Sequence, residues 1–153
     1  MKRLLILMLF AVTAFGQNAR GIYTAEWSQA LVAAAQTITV QLPTTAGVRN
    51  AQMDSAAVYC SVQCEITVER NGTAATATAV ASRVVTGNAT STAIAYRSSN
   101  VGVGTVLSRL VVPTGGTMQL DLKDIGLLAG QNVSIRTAAI TGTAIINVKW
   151  REF

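Results

Sequence analysis

The sequence predicts an all-β protein: a single antiparallel β-sandwich domain of about eight or nine strands, of jelly-roll or other Greek-key type. Three observations carry this. Apolar and polar residues alternate with period two from residue 36 onward, and helical periodicity is nearly absent. The strands so marked recur at intervals of roughly ten to fifteen residues, with turn formers such as Asn71-Gly72, Gly87-Asn88 and Pro113-Thr114-Gly115-Gly116 between them. The chain is also rich in Thr, Val, Ala and Ser, and charged residues make up only 12%, about half the usual share. The Cys…Trp…Cys spacing of immunoglobulin domains is missing, which favours a jelly roll or another Greek key.

The elements follow in order. Residues 36–42 (QTITVQL) place Ile38, Val40 and Leu42 on one face and Thr37, Thr39 and Gln41 on the other, before Pro43 ends the strand. Residues 50–60 (NAQMDSAAVYC) read as a weaker strand, and residues 65–70 (EITVER) alternate with Ile66 and Val68 inward. Asn71-Gly72 accepts the positive φ angles of a type I′ turn, so a tight hairpin into residues 73–81 is expected. Residues 92–97 (TAIAYR) put Ile94 and Tyr96 on one face, and residues 98–104 read as a flexible connection. Residues 105–112 (TVLSRLVV) form a strand stopped by the Pro-Thr-Gly-Gly turn. Residues 117–123 then bury Met118, Leu120 and Leu122, and residues 132–137 bury Val133 and Ile135. Residues 144–151 bury Ile146, Val148 and Trp150 and turn Asn147, Lys149 and Arg151 outward.

Ahead of this domain (residues 36–153) stand two further segments. Residues 1–16 read as an export signal, with Lys2 and Arg3 as the basic region, an apolar stretch over 4–15, and Ala14 and Gly16 preceding cleavage before Gln17. The apolar stretch is about a dozen residues, short of the ~20 a membrane span needs. Residues 17–35 read as an N-terminal arm, extended or a short helix: Trp27, Leu31 and Ala34 or Ala35 have helical spacing, while Val32, Ala34, Gln36 and Ile38 alternate as a strand. The expected location is therefore secreted, extracellular or at the cell surface, with the periplasm as an alternative, and no membrane insertion after cleavage.

The formal charge of +5 includes Lys2 and Arg3. The remaining cations, mostly arginine, are scattered singly, with no basic cluster interleaved with aromatics, so no nucleic-acid partner is expected.

Both cysteines lie in one short stretch, Cys60-x-x-x-Cys64. In a straight strand i and i+4 are ~13 Å apart, whereas a disulfide needs Cα atoms within about 7 Å. A bond therefore demands a sharp bend at residues 61–63, and an oxidising compartment favours it. A pair of reduced core thiols is the alternative. Two thiols without histidine do not complete a zinc shell within one chain, and a redox pair usually has two intervening residues.

The chain contains no histidine, which removes Ser-His-Asp and Cys-His catalysis and the common histidine zinc sites. The carboxylates Glu65 and Glu69 share a strand face but stand ~13 Å apart, beyond the about 5–9.5 Å of a glycosidase pair; a solvated face accounts for them. Asp121 and Asp124 are weak calcium candidates, with Asn132 or backbone carbonyls to complete a shell, but the dense pattern of a calcium loop is missing. Gly102-Val-Gly104 lacks the context of a phosphate loop. Asn71, Asn88 and Asn132 begin glycosylation sequons, relevant only in an organism that uses them. Among the aromatics, Tyr96 and Trp150 alternate with core residues. Tyr23 and Trp27, in the arm, are the candidates for stacking on a sugar ring.

No catalytic set and no cofactor is expected. The reading is a secreted, non-enzymatic structural or assembly protein, a self-associating β-sandwich of a cell surface, appendage or particle. Its partner is then a copy of itself or a surface matrix. The alternative is a secreted carbohydrate- or ligand-binding module, with a glycan as its partner.

Overall fold

The computed structural model describes residues 21–31, 35–44, 50–74, 78–87, 90–98, 101–102, 104–139 and 141–153. The export signal expected over 1–16, residues 32–34 and Asn88 of the second sequon lie outside the described residues. The strands are β1 (Gly21–Leu31), β2 (Gln36–Gln41), β3 (Asn50–Cys60), β4 (Cys64–Arg70), β5 (Thr73–Ala74), β6 (Thr78–Val80) and β7 (Arg83–Thr86). They continue with β8 (Ile94–Ser98), β9 (Val101–Gly102), β10 (Thr105–Val112), β11 (Gly116–Asp121), β12 (Gly126–Leu128), β13 (Asn132–Thr137) and β14 (Gly142–Glu152). Among the described residues there is no helix.

Two antiparallel sheets make a sandwich-like fold. One runs β11-β3-β14-β1-β7, with β12 also paired to β3; the other runs β10-β4-β13-β2-β8-β6; β5 and β9 form a separate two-stranded ribbon. Twelve strands thus make up the two sheets, more than the eight or nine expected. The additional ones are β1, which the sequence leaves open between an extended arm and a short helix, and the short β7 and β12, where alternation has too few residues to register.

The core is one cluster drawn from the inner faces of both sheets. Tyr23, Ala25 and Trp27 of β1, Met53 and Val58 of β3, and Ile146, Val148 and Trp150 of β14 meet Ile38 and Val40 of β2, Ile66 and Val68 of β4, and Val133 and Ile135 of β13. Tyr23 and Trp150 are cross-strand partners, and their rings stack with centroids 6.0 Å apart. The described part of the segment read as an arm is thus an internal strand, paired with β14 along its whole length and with β7 on its other side.

Three local expectations need correction. Asn71 does take a left-handed φ of 57°, but Gly72 does not join it as a type I′ turn requires. No hairpin with β4 forms, because both sides of β4 are already occupied, by β10 and β13; Thr73–Ala74 pairs instead with Val101–Gly102. In β8 the register Thr39↔Tyr96 and Val40↔Ala95 turns the small Ala93 and Ala95 inward and leaves Ile94 and Tyr96 partly exposed. Finally, Glu65 is exposed but Glu69 is fully buried, together with Thr37, Thr39, Thr67 and Ser134 on the same outer face. Alternation says which residues share a face; it does not say whether other parts of the chain cover it.

The cysteines behave as the bend argument requires. Cys60 ends β3 in the first sheet, Cys64 begins β4 in the second, and they are bonded with Cα atoms 6.3 Å apart. The intervening corner is held by the Thr143 N–H on Ser61 Oγ (2.7 Å) and the Gln63 N–H on Thr114 Oγ1 (3.1 Å).

Candidate interaction edge

Strand β10 ends the second sheet, so among the described residues one side of its backbone has no strand neighbour. Strand edges with free N–H and C=O groups are templates for further pairing, and proteins usually blunt them with lysine, proline, short length or a bulge. β10 has eight residues, no lysine and no proline. It carries one bulge, at Leu107, where the register with β4 shifts between Val106 and Ser108. Val106, Leu107 and Val111 are exposed, Val111 by half. Its one charged residue, Arg109, lies 4.0 Å from Glu65, and both side chains are mostly in water; such a pair contributes little.

Beside this edge the sandwich is open. β10 turns through Pro113–Gly116 into β11 in the opposite sheet, with the Gly116 N–H on the Pro113 carbonyl (2.9 Å) and Gly115 at φ 65°. Between the two strands runs a cleft of about 540 Å³ lined by Leu107, Leu110, Met118, Leu120, Leu122 and Ile125. Asp121 and Asp124, the calcium candidates, sit at its polar margin. Asp121 is committed locally: its Oδ1 accepts the Lys123 N–H at 3.1 Å, and its Oδ2 is 3.6 Å from Lys123 Nζ. Asp124 is exposed in the following turn. Asn132 donates its amide to the Gly72 carbonyl (2.9 Å). Among the described residues no three His, Cys, Asp or Glu side chains group around a point that could hold a metal.

The proposed stacking pair is placed elsewhere. Tyr23 and Trp27 are inside the core, so neither offers a ring face to a ligand. Inward alternation of Tyr23, Ala25 and Trp27 explains this, and it is masked in the sequence by the helical spacing of Trp27 and Leu31. Gly104 of the G-x-G serves packing: a Cβ there would overlap the backbone of Arg70 and Gly72.

Two buried carboxylates outside the edge, Asp54 and Glu69, are paired with cations. Asp54 is the extra residue of a bulge in β3, where the register passes from Lys149↔Ser55 to Trp150↔Met53. Its carboxylate meets Arg151 Nη2 at 3.0 Å and Lys149 Nζ at 3.3 Å. Burial works to raise its pKa, but the bonds and charges of Lys149 and Arg151 outweigh burial and hold it below the ordinary 3.8. Glu69 accepts from Arg136 Nε (3.0 Å) and Nη2.

No family model and no curated protein matches this chain. Among solved structures, the chain is similar to PirA, with a TM-score of 0.38 and 11% identity over 88% of this chain and 98% of that one. A β-(1,4)-mannanase of Podospora anserina matches with a TM-score of 0.39 and 14% identity, over 86% of this chain and 27% of that one. The virus-like particle of the extra small virus of the prawn Macrobrachium rosenbergii matches with a TM-score of 0.23 and 10% identity, over 84% of this chain and 78% of that one. At such scores these likenesses carry no argument about function.

Proposed function

We propose that this chain is an exported, non-enzymatic structural protein whose sandwich self-associates as part of a cell surface, appendage or particle. The observation that carries the reading is β10: a long sheet edge with exposed Val106, Leu107 and Val111 beside an apolar cleft. Hydrogen-bonding capacity and apolar surface together are what strand addition uses. The Cys60–Cys64 bond supports an oxidising destination. Among the described residues no helix is long and apolar enough to cross a membrane.

We further read the sandwich as a jelly roll. Taken as β1, β2, β3, β4, β10, β11, β13 and β14, the main strands give the orders β11-β3-β14-β1 and β10-β4-β13-β2. The chain passes repeatedly between the two sheets, a winding in keeping with two Greek keys. The segment between β4 and β10 is then an insertion that adds β6, β7 and β8 to the sheet margins.

Light scattering during size-exclusion chromatography of the chain starting at Gln17 tests assembly. A mass above one chain that grows with concentration is expected. A strict monomer at the highest attainable concentration overturns the reading. The ligand-binding alternative loses its Tyr23 and Trp27 platform, and any ligand site must be sought elsewhere.

A further inference from the structure

Among the described residues the exposed large hydrophobic side chains are Val84 and Val85 of β7, Val106, Leu107 and Val111 of β10, and Leu128 of β12. The first two groups mark opposite ends of the sandwich. β10 ends the second sheet and lies against β11, the end of the first. β7 is the other end of the first sheet, four strand spacings from β11 and so roughly 19 Å away. On that side β6 ends the second sheet and lies against β1.

The two ends differ in shape and charge. The β10 end is concave, a cleft of about 540 Å³ whose margin carries Asp121 and Asp124. Arg70 also lines it, but its Nη2 is committed to the Gly126 carbonyl (2.8 Å) and to Gln131 Oε1 (2.7 Å). The β7 end presents side chains instead. Val84 pairs with Tyr23, on the inner face of the first sheet, yet is 48% exposed. Val85 is the extra residue of a bulge, where the register passes from Ile22↔Thr86 to Tyr23↔Val84, and it too is half exposed. Arg83 beside them and Arg97 of β8 are exposed, and among the described residues neither meets a carboxylate.

A contact of the β10 end with itself would be isologous, setting the same patch of each copy against the other. Two hollows would then face one another unfilled, with the carboxylates of Asp121 and Asp124 turned toward those of the second copy; like charges so placed oppose association. The β7 end supplies what the cleft lacks, two valines to fill it and cations for its acidic margin. We infer that the cleft between β10 and β11 takes the β7 end of a second copy, with Val84 and Val85 entering between Leu107, Leu110, Met118 and Ile125 and Arg83 lying toward Asp121 and Asp124. The contact is heterologous, so each pair keeps one free end of each kind. Assembly then grows as a filament or closes as a ring rather than stopping at two chains.

The contact rests on the self-association proposed above, whose second surface it names. Blocking one end at a time tests it. Val85→Lys spoils the β7 end and Leu107→Asp spoils the cleft; both positions are exposed, and thermal midpoints near that of the natural chain verify that the variants fold. In light scattering each should raise the concentration needed for assembly about tenfold, the loss of one buried aliphatic side chain. Mixed in equal amounts, at a concentration where each alone is a single chain, the two should form a pair and nothing larger, because one sound cleft meets one sound β7 end. Should Val85→Lys unfold, Arg83→Glu changes only an exposed charge and takes its place with the same expectations. A natural chain that assembles while the β7 variant assembles equally well, or a mixture that stays as single chains, overturns the β7 contact and leaves self-association standing. A natural chain that is a strict monomer removes both.

Discussion

Glu152 is a fully buried carboxylate that the fold surrounds with donors: Ser91 Oγ at 2.6 Å, the Thr92 and Ala93 N–H groups at 3.0 and 2.9 Å, and Trp150 Nε1 at 3.2 Å. It ties the turn before β8 to the end of β14. Glu152→Ala strands these donors inside, so it should lower unfolding free energy by about 2–4 kcal/mol, read from urea denaturation; Glu152→Gln, which keeps an acceptor, should lose less. Asp54 has the opposite setting, between two half-exposed cations. Its pKa in the fold is depressed, so its contribution is present above the unfolded value of 3.8 and lost as pH falls through the lower folded value. Urea midpoints should therefore drop below about pH 4 more steeply for the natural chain than for Asp54→Asn. Identical slopes would remove Asp54 from the acid response. Neither role is visible in the sequence, because Glu152 looks like a polar end residue and Asp54 interrupts an alternating strand. Only the bulge in β3 and the return of residues 91–93 to β14 assign them partners.

Strand β10 illustrates what alternation conveys and omits at the level of an element. TVLSRLVV is legible as a strand, but its position at the end of the sheet follows from which partners β4 and β13 choose. Val106→Lys and Val111→Lys place charge on exposed positions of that edge. Each should change stability by no more than about 0.5 kcal/mol while shifting the scattering mass toward a single chain. Variants that unfold, or that leave the mass of the natural assembly unchanged, count against β10 as the contact. The Asn71-Gly72 expectation failed for a related reason. Asn71 does take the left-handed φ such a turn needs, but both neighbours of β4 come from distant sequence, and local signals carry no information about that competition. Likewise, an open cavity where β12 lies against the start of β3 draws on Asn50, Arg70 and Phe153, three residues with no shared motif.

For the molecule as a whole, the disulfide joins the two sheets at one corner and closes a very short loop, so it restricts the unfolded chain little. Reduction, or replacing both cysteines with alanine, should cost roughly 2 kcal/mol at most and leave the far-ultraviolet spectrum unchanged. Free-thiol titration of the unfolded, unreduced protein should find none; two reactive thiols would show that the corner is not bonded in the isolated protein. The sequence by itself determined the all-β class, the core faces of most long strands, the bend between Cys60 and Cys64 and the absence of histidine chemistry. Each of these depends on residue type or on spacing within a few positions. Tertiary structure alone decided that β1 is an internal strand with Tyr23 and Trp27 inside, that Glu69 is buried, that β10 is left at an edge, and that an amide, a guanidinium and an aromatic ring share one cavity. Those outcomes depend on which distant strands pair and what covers each face. Pairing between strands a hundred residues apart, as in β1 and β14, is chosen by the packing of the whole core.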